Sequence, residues 1–258
     1  MAREVIVSRD LKRRLDTEYA RRNRIGELSF ERPDPLFVAK RYNDASIALI
    51  CALFGYGNAK AIVTFLERLD FTLLDQSEET IRRALRGAYY RFQNSDDVTA
   101  LFIALRRLRQ EESLKITVTQ AYRQTGDIYD GLRALIEAIY SAYDYRSDGY
   151  RFLVGKIPPK QKVRASAYKR YMMFLRWMVR DDALDMGLWR GIDKRDLVIP
   201  LDTHTAAVSR RLGLLRRKSN DYKAALELTE ALRRLDADDP LKYDFVLYRI
   251  GQEKMALD

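Results

Sequence analysis

Residues 199–214 read IPLDTHTAAVSRRLGL, a short apolar lead followed by a helical pattern. Asp202 stands just before the first turn, where an aspartate side chain commonly accepts a backbone amide as the N-cap. Gly213 follows the last periodic residue, as is typical just past a helix C-terminus. The stretch therefore predicts a helix from Thr203 to about Leu212 with a carboxylate at its positive dipole end.

The rest of the chain shows the same helical periodicity. Only 12 glycines and 6 prolines interrupt its 258 residues, and we find no convincing strand pair and no internal repeat. Helix starts are indicated at Asp44, Ser77, Asp96-Asp97, Asp127 and Asp221. Besides the helix that follows Asp202, helices are expected over residues 8–23, 44–54, 59–69, 77–90, 96–111, 114–123, 127–143, 163–180, 221–235 and 238–250. The sequence therefore predicts an all-α fold.

The longest irregular stretch is predicted at residues 145–162, which contain two glycines and two prolines. Such a stretch is a candidate boundary between lobes. We expect one unit over residues 1–258 with two lobes, 40–150 and 1–39 plus 151–258.

The net charge of +10 and the pI of about 9.6 favour a polyanionic partner, nucleic acid first and an acidic membrane surface second. No apolar run approaches the roughly 20 residues that span a bilayer, and Met1-Ala2-Arg3-Glu4 has no apolar signal core. We therefore expect a cytoplasmic, nucleoid-associated protein and no membrane partner. An adaptor for membranes or acidic proteins, built on the basic 8–24 helix, also explains the charge but leaves Asp202 unexplained.

A single cysteine, Cys51, and a single histidine, His204, limit the cofactor chemistry of the chain. They exclude an internal disulfide, a zinc cage and a four-cysteine iron–sulfur cluster. Cys51 lies in an apolar run and is expected to be a buried small hydrophobe. We expect no metal and no cofactor.

The 199–214 stretch resembles the V-D-T-H-x-x-R-V-x-x-R-L-G segment of helix-hairpin-helix DNA glycosylases, which include endonuclease III and the adenine and 8-oxoguanine glycosylases. The resemblance implies a two-lobed helical bundle of that type. It also implies that Asp202 stabilises a sugar cation or activates a nucleophile. With one cysteine, the chain would belong to a branch without the iron–sulfur cluster. The alternative is that Asp202 is only an N-cap and His204 a packed core histidine.

Bifunctional members of that family use a lysine that attacks the sugar and forms a Schiff base. Lys169, in the aromatic-rich segment AYKRYMMFLRWM (residues 167–178), occupies the corresponding place. It precedes Asp202 by 33 positions (169 to 202), a gap that resembles the archaeal 8-oxoguanine branch. The alternative is a solvent-facing or phosphate-binding lysine on a basic face.

The family's L-P-G-V-G hairpin is not preserved, because residues 155–166 read GKIPPKQKVRAS. Positive charge would replace the hairpin's phosphate-binding amides there. The predicted DNA contacts of this part of the chain are Lys156, Lys160, Lys162, Arg164, Arg170 and His204.

The segment IALICALFGYGNAKAIVTFLERL (residues 47–69) resembles the helix–turn–helix with the DNA-probing loop of 8-oxoguanine glycosylases. By this resemblance Tyr56 stacks in the space left by a flipped base and Asn58 bonds the widowed base, with Lys60 beside them. The alternative is a plain turn bracketed by glycines.

The chain as a whole resembles a bacterial family related to the archaeal 8-oxoguanine glycosylases, through segments that include YRFQ (residues 90–93) and DPLKYDF (residues 239–245). This whole-chain resemblance implies the fold and not a substrate. The glycosylase resemblances together predict a monomeric glycosylase and lyase that acts on duplex DNA. The length of the segment between Lys169 and Asp202 and the Tyr56-Gly57-Asn58 loop predict an oxidised purine as its substrate, with 8-oxoguanine as the first candidate. The alternative is a non-catalytic DNA- or RNA-binding protein of the same fold. Asp244 would either orient a catalytic group or pair with a core arginine. Arg216-Arg217-Lys218 would form either a phosphate-facing loop or a solvated charge cluster.

Overall fold

A computed structural model of the chain describes residues 8–111, 114–162 and 165–255. Within these ranges the secondary structure is helical, with only isolated antiparallel bridges besides, so the predicted all-α class is confirmed. The α-helices are α1 Arg9–Arg22, α2 Pro35–Ala39, α3 Ala45–Leu53, α4 Ala59–Leu66, α5 Glu78–Ala84, α6 Ser95–Glu111, α7 Leu114–Thr125, α8 Ile128–Ala142, α9 Asp148–Val154, α10 Lys169–Val179, α11 Thr203–Arg211, α12 Tyr222–Arg233 and α13 Asp244–Gln252. Short 3-10 turns lie at Ile25–Glu27, Phe71–Asp75, Lys194–Asp196 and Pro240–Tyr243.

Most predicted helix starts are confirmed by side-chain caps. In each case the side-chain oxygen accepts an amide of the first turn, which satisfies a donor that the helix itself cannot pair. These N-caps are Asp44, Ser77, Asp127, Asp202 and Asp221.

The predicted cap at Asp96-Asp97 was wrong. Asn94 accepts both amides of that pair at 3.0 Å, and α6 begins one residue before them. Asp97 is buried instead and accepts hydrogen bonds from the Asn94 amide and the Ser147 hydroxyl.

Part of the stretch expected to be irregular is the helix α9. The Ser147 hydroxyl caps it, accepting the Tyr150 amide at 2.8 Å. Gly149 marks close packing there and not a break in the helix, because a Cβ at this position would lie 2.8 Å from the Phe92 carbonyl oxygen. Helix α10 begins at Lys169 and not near residue 163, since Tyr168 takes the left-handed conformation that ends a right-handed helix.

The chain divides into two compact units. The middle unit is Leu28–Pro158, and the terminal unit joins Met1–Glu27 to Pro159–Asp258. The boundaries therefore fall at 27/28 and 158/159, where the sequence suggested 39/40 and 150/151. As a result, α2 and α9 belong to the middle unit.

The core of the middle unit is built on α3, of which residues 46–53 are all buried. A helix that is apolar all round has to be covered on every side. Cys51 lies in this helix with a fully buried side chain, as expected, and burial raises the pKa of its thiol.

In the terminal unit α10 is the central helix of the core, since residues 171–179 are all buried. Helices α11 and α13 pack closely against each other at Gly251, where a Cβ would lie 2.9 Å from the His204 Cβ. No helix of the described ranges has both the length and the apolar composition that crossing a membrane requires.

Candidate active site

Asp202 is held at the N-terminus of α11 in the terminal unit. One carboxylate oxygen accepts the Thr205 amide at 2.7 Å, and the side chain is half-buried. The segment that precedes α11 is held against α12, because the buried Ile199 amide donates a hydrogen bond to the Thr229 hydroxyl at 3.0 Å. The carboxylate therefore has a fixed position and partial access to solvent.

Asp244, the first residue of α13, is buried and forms an ion pair with Arg176 of α10. Burial raises the pKa of Asp244 to about 6, Arg176 opposes the rise, and the negative charges of Asp202 and Asp185 add to it. Asp202 thus lies within electrostatic reach of Asp244. Of the two roles considered for Asp244, the pairing with a core arginine is the one present.

The ion pair is part of a buried charged network on α10. Arg176 also contacts Asp185 at 3.2 Å, and Asp185 in turn pairs with Arg180. Arg180 is buried and binds Asp182 at 3.0 Å and Asp239 at 2.8 Å. Burial raises the pKa of the Asp185 carboxyl. The network fixes the segment after α10 on that helix and joins it to the start of α13.

Lys169 is the first residue of α10 and is half-buried. Arg176 follows it by seven residues, which places both on the same helix face about 10 Å apart along the axis. Tyr168, just before it, has φ 47° and ψ 37° and caps the helix without a side-chain hydrogen bond. This conformation costs a bulky residue on the order of 1–2 kcal/mol and recurs at functional sites.

The strained turn before Lys169 is anchored to α12. The Tyr222 amide donates to the Ala165 carbonyl at 3.0 Å, and Ser166 forms an antiparallel bridge with Asp221. Lys169 and Asp202 therefore both lie at helix N-termini of the terminal unit, and both preceding segments are tied to α12.

The remaining predicted contacts of the terminal unit differ in exposure. His204 is exposed on α11 and packs edge-on against Tyr248 at 6.2 Å between ring centroids. Lys160 is exposed, and Lys162 and Arg170 are half-buried. Arg164 lies outside the described residues, and Lys156 is an exposed residue of the middle unit.

The basic run after α11 is exposed and bonded to its neighbours. Arg217 binds Asp221 at 2.6 Å, and Arg210 donates to the backbone carbonyls of Arg217 and Lys218, at 2.9 Å each. The Arg216 amide donates to Glu227 at 2.7 Å. These contacts fix the shape of the loop.

The predicted DNA-probing loop lies in the middle unit. The Tyr56 side chain is half-buried, its hydroxyl donates to Gln93, and its carbonyl accepts the Tyr90 hydroxyl at 2.7 Å. Asn58 is exposed but caps α4, accepting the Lys60 and Ala61 amides at 3.0 and 3.2 Å. The loop is therefore well anchored in its own unit.

Sequence reasoning missed the aromatic residues that are most exposed beside this loop. Tyr89, Phe92 and Phe152 have 68%, 58% and 44% of their surface exposed. Phe92 is parallel to Tyr56, with ring centroids 6.4 Å apart, and Phe152 packs edge-on to both. The only sequence signal was the density of aromatic residues over 89–92, a pattern that equally suits a buried turn.

Among the described residues, no group of three or more His, Cys, Asp or Glu side chains is placed to hold a metal ion. A family model described as Protein of unknown function (DUF2400) matches residues 34–253. No curated protein and no solved structure shows a significant match.

Proposed function

The chain belongs to the DUF2400 family, and we propose that it is a DNA glycosylase with lyase activity that removes an oxidised purine from duplex DNA. Lys169 is the nucleophile, and Asp202 is the carboxylate that assists it. The observation that supports this most is that Lys169 and Asp202 both lie at helix N-termini of the unit that contains the buried Arg176–Asp244 pair. Lys169 shares a face of α10 with Arg176, Arg176 pairs with Asp244, and the charge of Asp202 acts on Asp244.

In the proposed reaction the lone pair of the neutral Lys169 amine forms a bond to the sugar C1′ carbon. The glycosidic bond breaks, and the departing base takes the electron pair of that bond and, by way of Asp202, the proton that the Lys169 amine loses. Asp202 stabilises the cationic character of the sugar and accepts the proton that the amine loses. The sugar ring then opens to a Schiff base, and loss of a C2′ proton expels the 3′ phosphate.

The cap geometry suits this role. One Asp202 oxygen is engaged by the Thr205 amide, and the side chain is half-buried, so it remains partly accessible to a nucleotide. A helix N-terminus also stabilises the anion that assists the reaction. The target base has to leave the stack to reach such a site. We propose 8-oxoguanine as the lesion on the resemblance of the spacing before Asp202 to the archaeal branch.

Borohydride trapping on a duplex with one 8-oxoguanine tests the proposal, because the reagent reduces a Schiff base to a stable adduct. The wild-type protein should form a covalent complex, and Lys169→Gln should form none. Lys223→Gln, an exposed lysine of α12 in the same unit, is the matched control and should trap like the wild type. If the wild type traps no lesion duplex at any pH, the lysine mechanism is overturned.

Asp202→Asn tests the carboxylate separately, since asparagine caps a helix about as well as aspartate. The variant should keep its stability and its DNA binding but lose at least about 100-fold in turnover. Asp127→Asn makes the same change at the N-cap of α8 in the middle unit and should keep its activity. Equal activity in both variants would leave Asp202 with only a capping role.

A further inference from the structure

A groove of about 560 Å³ on the middle unit contains three basic side chains, Lys60, Arg68 and Arg91. Among the residues that the structure describes, no acidic side chain lines this groove. Within the described ranges none of the three forms an ion pair, and the nearby Glu67 pairs with Arg41. Three unpaired cations in one groove are an electrostatic site for a polyanion.

The edge of the groove is aromatic. Tyr89 lines it, Phe92 follows the lining residue Arg91 in the chain, and Phe152 packs edge-on against Phe92 with ring centroids 5.1 Å apart. The guanidinium of Arg91 is 5.4 Å from the Phe92 ring centroid, so cationic and aromatic groups form one continuous surface. Exposed aromatic rings next to cations are the combination that binds unpaired nucleotides, because each base can stack while its phosphate is neutralised.

The backbone is shaped to keep Arg91 in place. Gly57 has φ 98°, and a Cβ there would lie 2.9 Å from the Arg91 guanidinium nitrogen. Arg91 itself has φ 55°, an uncommon conformation for a residue other than glycine. The Arg91 guanidinium lies at the groove and above the Phe92 ring.

We propose that this surface, defined by Lys60, Arg68, Arg91, Tyr89, Phe92 and Phe152, is a binding site for a single-stranded nucleic acid. The three cations hold consecutive phosphates, and the aromatic side chains stack the bases. The site lies wholly in the middle unit and goes beyond the proposed glycosylase activity, since it requires neither Lys169 nor Asp202. The interior of an intact duplex does not present bases to it, because paired bases are already stacked on both faces.

Fluorescence anisotropy with an oligothymidylate of about 12 nucleotides, over a range of salt concentrations, tests the charge component. The triple variant Lys60→Ala/Arg68→Ala/Arg91→Ala should flatten the slope of log affinity against log salt by about 2, at roughly 0.7 for each lost phosphate contact. Arg123→Ala removes an exposed cation of α7 outside the groove and should leave the slope unchanged.

The stacking component is tested by Phe92→Ala. This variant should bind the same strand about 5- to 150-fold more weakly with an unchanged salt slope. Ile116→Ala, an exposed apolar residue of α7, is the control and should bind like the wild type. All six substituted side chains are exposed, and thermal unfolding of each of the four variants shows that the fold is kept.

Photocrosslinking of an oligonucleotide that carries 5-iododeoxyuridine, followed by peptide mapping, locates the bound strand on the protein. Crosslinks at residues 89–92 or at Phe152 support the site, and crosslinks confined to the terminal unit overturn it. Wild-type affinity in both the triple variant and Phe92→Ala also overturns it. An oligouridylate arm identifies whether RNA or DNA is preferred, and a duplex of equal length should be much less sensitive to Phe92→Ala.

Binding of single strands at the groove and trapping of a lesion at Lys169 are separate measurements, so each can fail without the other. A protein that traps no lesion but binds oligothymidylate through the groove supports the inference made here. A protein that traps a lesion while its groove variants bind single strands normally overturns it.

Discussion

The Arg176 guanidinium donates to the Asp244 carboxylate, and both side chains are buried in the terminal unit. This contact joins the middle of α10 to the first residue of α13, which packs along α11. The N-cap of α11 is Asp202, whose charge acts on the same Asp244. The stability of the terminal unit and the placement of its candidate catalytic carboxylate therefore depend on the same group of charges.

Removing one partner of this pair should be costly. In Arg176→Met the Asp244 and Asp185 carboxylates lose a buried partner, and we expect the free energy of unfolding to fall by about 3–5 kcal/mol. Urea denaturation measures the change. The control is Arg146→Met, because Arg146 and Asp144 form an ion pair with side chains 90% and 86% exposed. That variant should change stability by less than about 1 kcal/mol, and an equal loss in both variants would contradict the expectation.

Asp244 should also make the free energy of unfolding depend on pH. Its pKa is raised from the ordinary 3.8 to about 6, so the folded state holds more protons than the unfolded state between those values. The stabilisation by Asp244 is thus fully present below about pH 4 and is lost as the pH rises through about 6. Relative to Asp244→Asn, the wild type should lose up to about 3 kcal/mol of unfolding free energy across this window.

Urea midpoints of both proteins at several pH values between about 4 and 7.5 measure this difference. Asp16, whose pKa is lowered to about 2, titrates in both proteins, so its contribution cancels in the difference between them. In Asp202→Asn the stabilisation by Asp244 should be lost at lower pH, because the charge of Asp202 raises the pKa of Asp244. Parallel pH profiles for the wild type and Asp244→Asn would contradict the assignment.

Local signals made much of the fold predictable. An aspartate or serine before an apolar run satisfies amides within its own next turn, so Asp44, Asp127 and Asp221 could be recognised without knowing the tertiary structure. The predictions failed where a contact with a residue distant in sequence decides the local structure. Gly149 resembles a helix breaker in sequence, but its small size serves the contact with Phe92 and Asp97.

The candidate site was predictable in part for the same reason. The N-cap position of Asp202 could be recognised because the residues that directly follow it decide it, whereas its catalytic role stays a prediction. The charges that surround it could not, because Arg176 and Asp244 are 68 positions apart and meet only when α10 packs against α13. Exposed Phe92 was missed because aromatic residues in a sequence predict a core, and only their neighbours decide whether they are covered.

The buried Cys51 thiol should be unreactive in the folded protein. Its side chain is fully buried and burial raises its pKa, so the reactive thiolate is suppressed as well as inaccessible. An aromatic disulfide reagent should label it only at the rate at which the middle unit opens. Complete labelling in strong urea is the positive control, and labelling of the native protein as fast as of the unfolded one would contradict this expectation.

Packing between α11 and α13 should control both stability and the position of Asp202. A Cβ at Gly251 would lie 2.9 Å from the His204 Cβ and 3.0 Å from the His204 carbonyl oxygen, and backbone there cannot yield without displacing the start of α11. We expect Gly251→Ala to lower the free energy of unfolding by about 1–3 kcal/mol and to reduce borohydride trapping on lesion duplex. Gly26→Ala is the matched control, because a Cβ at Gly26 meets nothing within 4 Å and its stability should change by less than about 1 kcal/mol. Trapping that stays at the wild-type level in a destabilised Gly251→Ala protein would show that Asp202 keeps its position without close contact between the two helices.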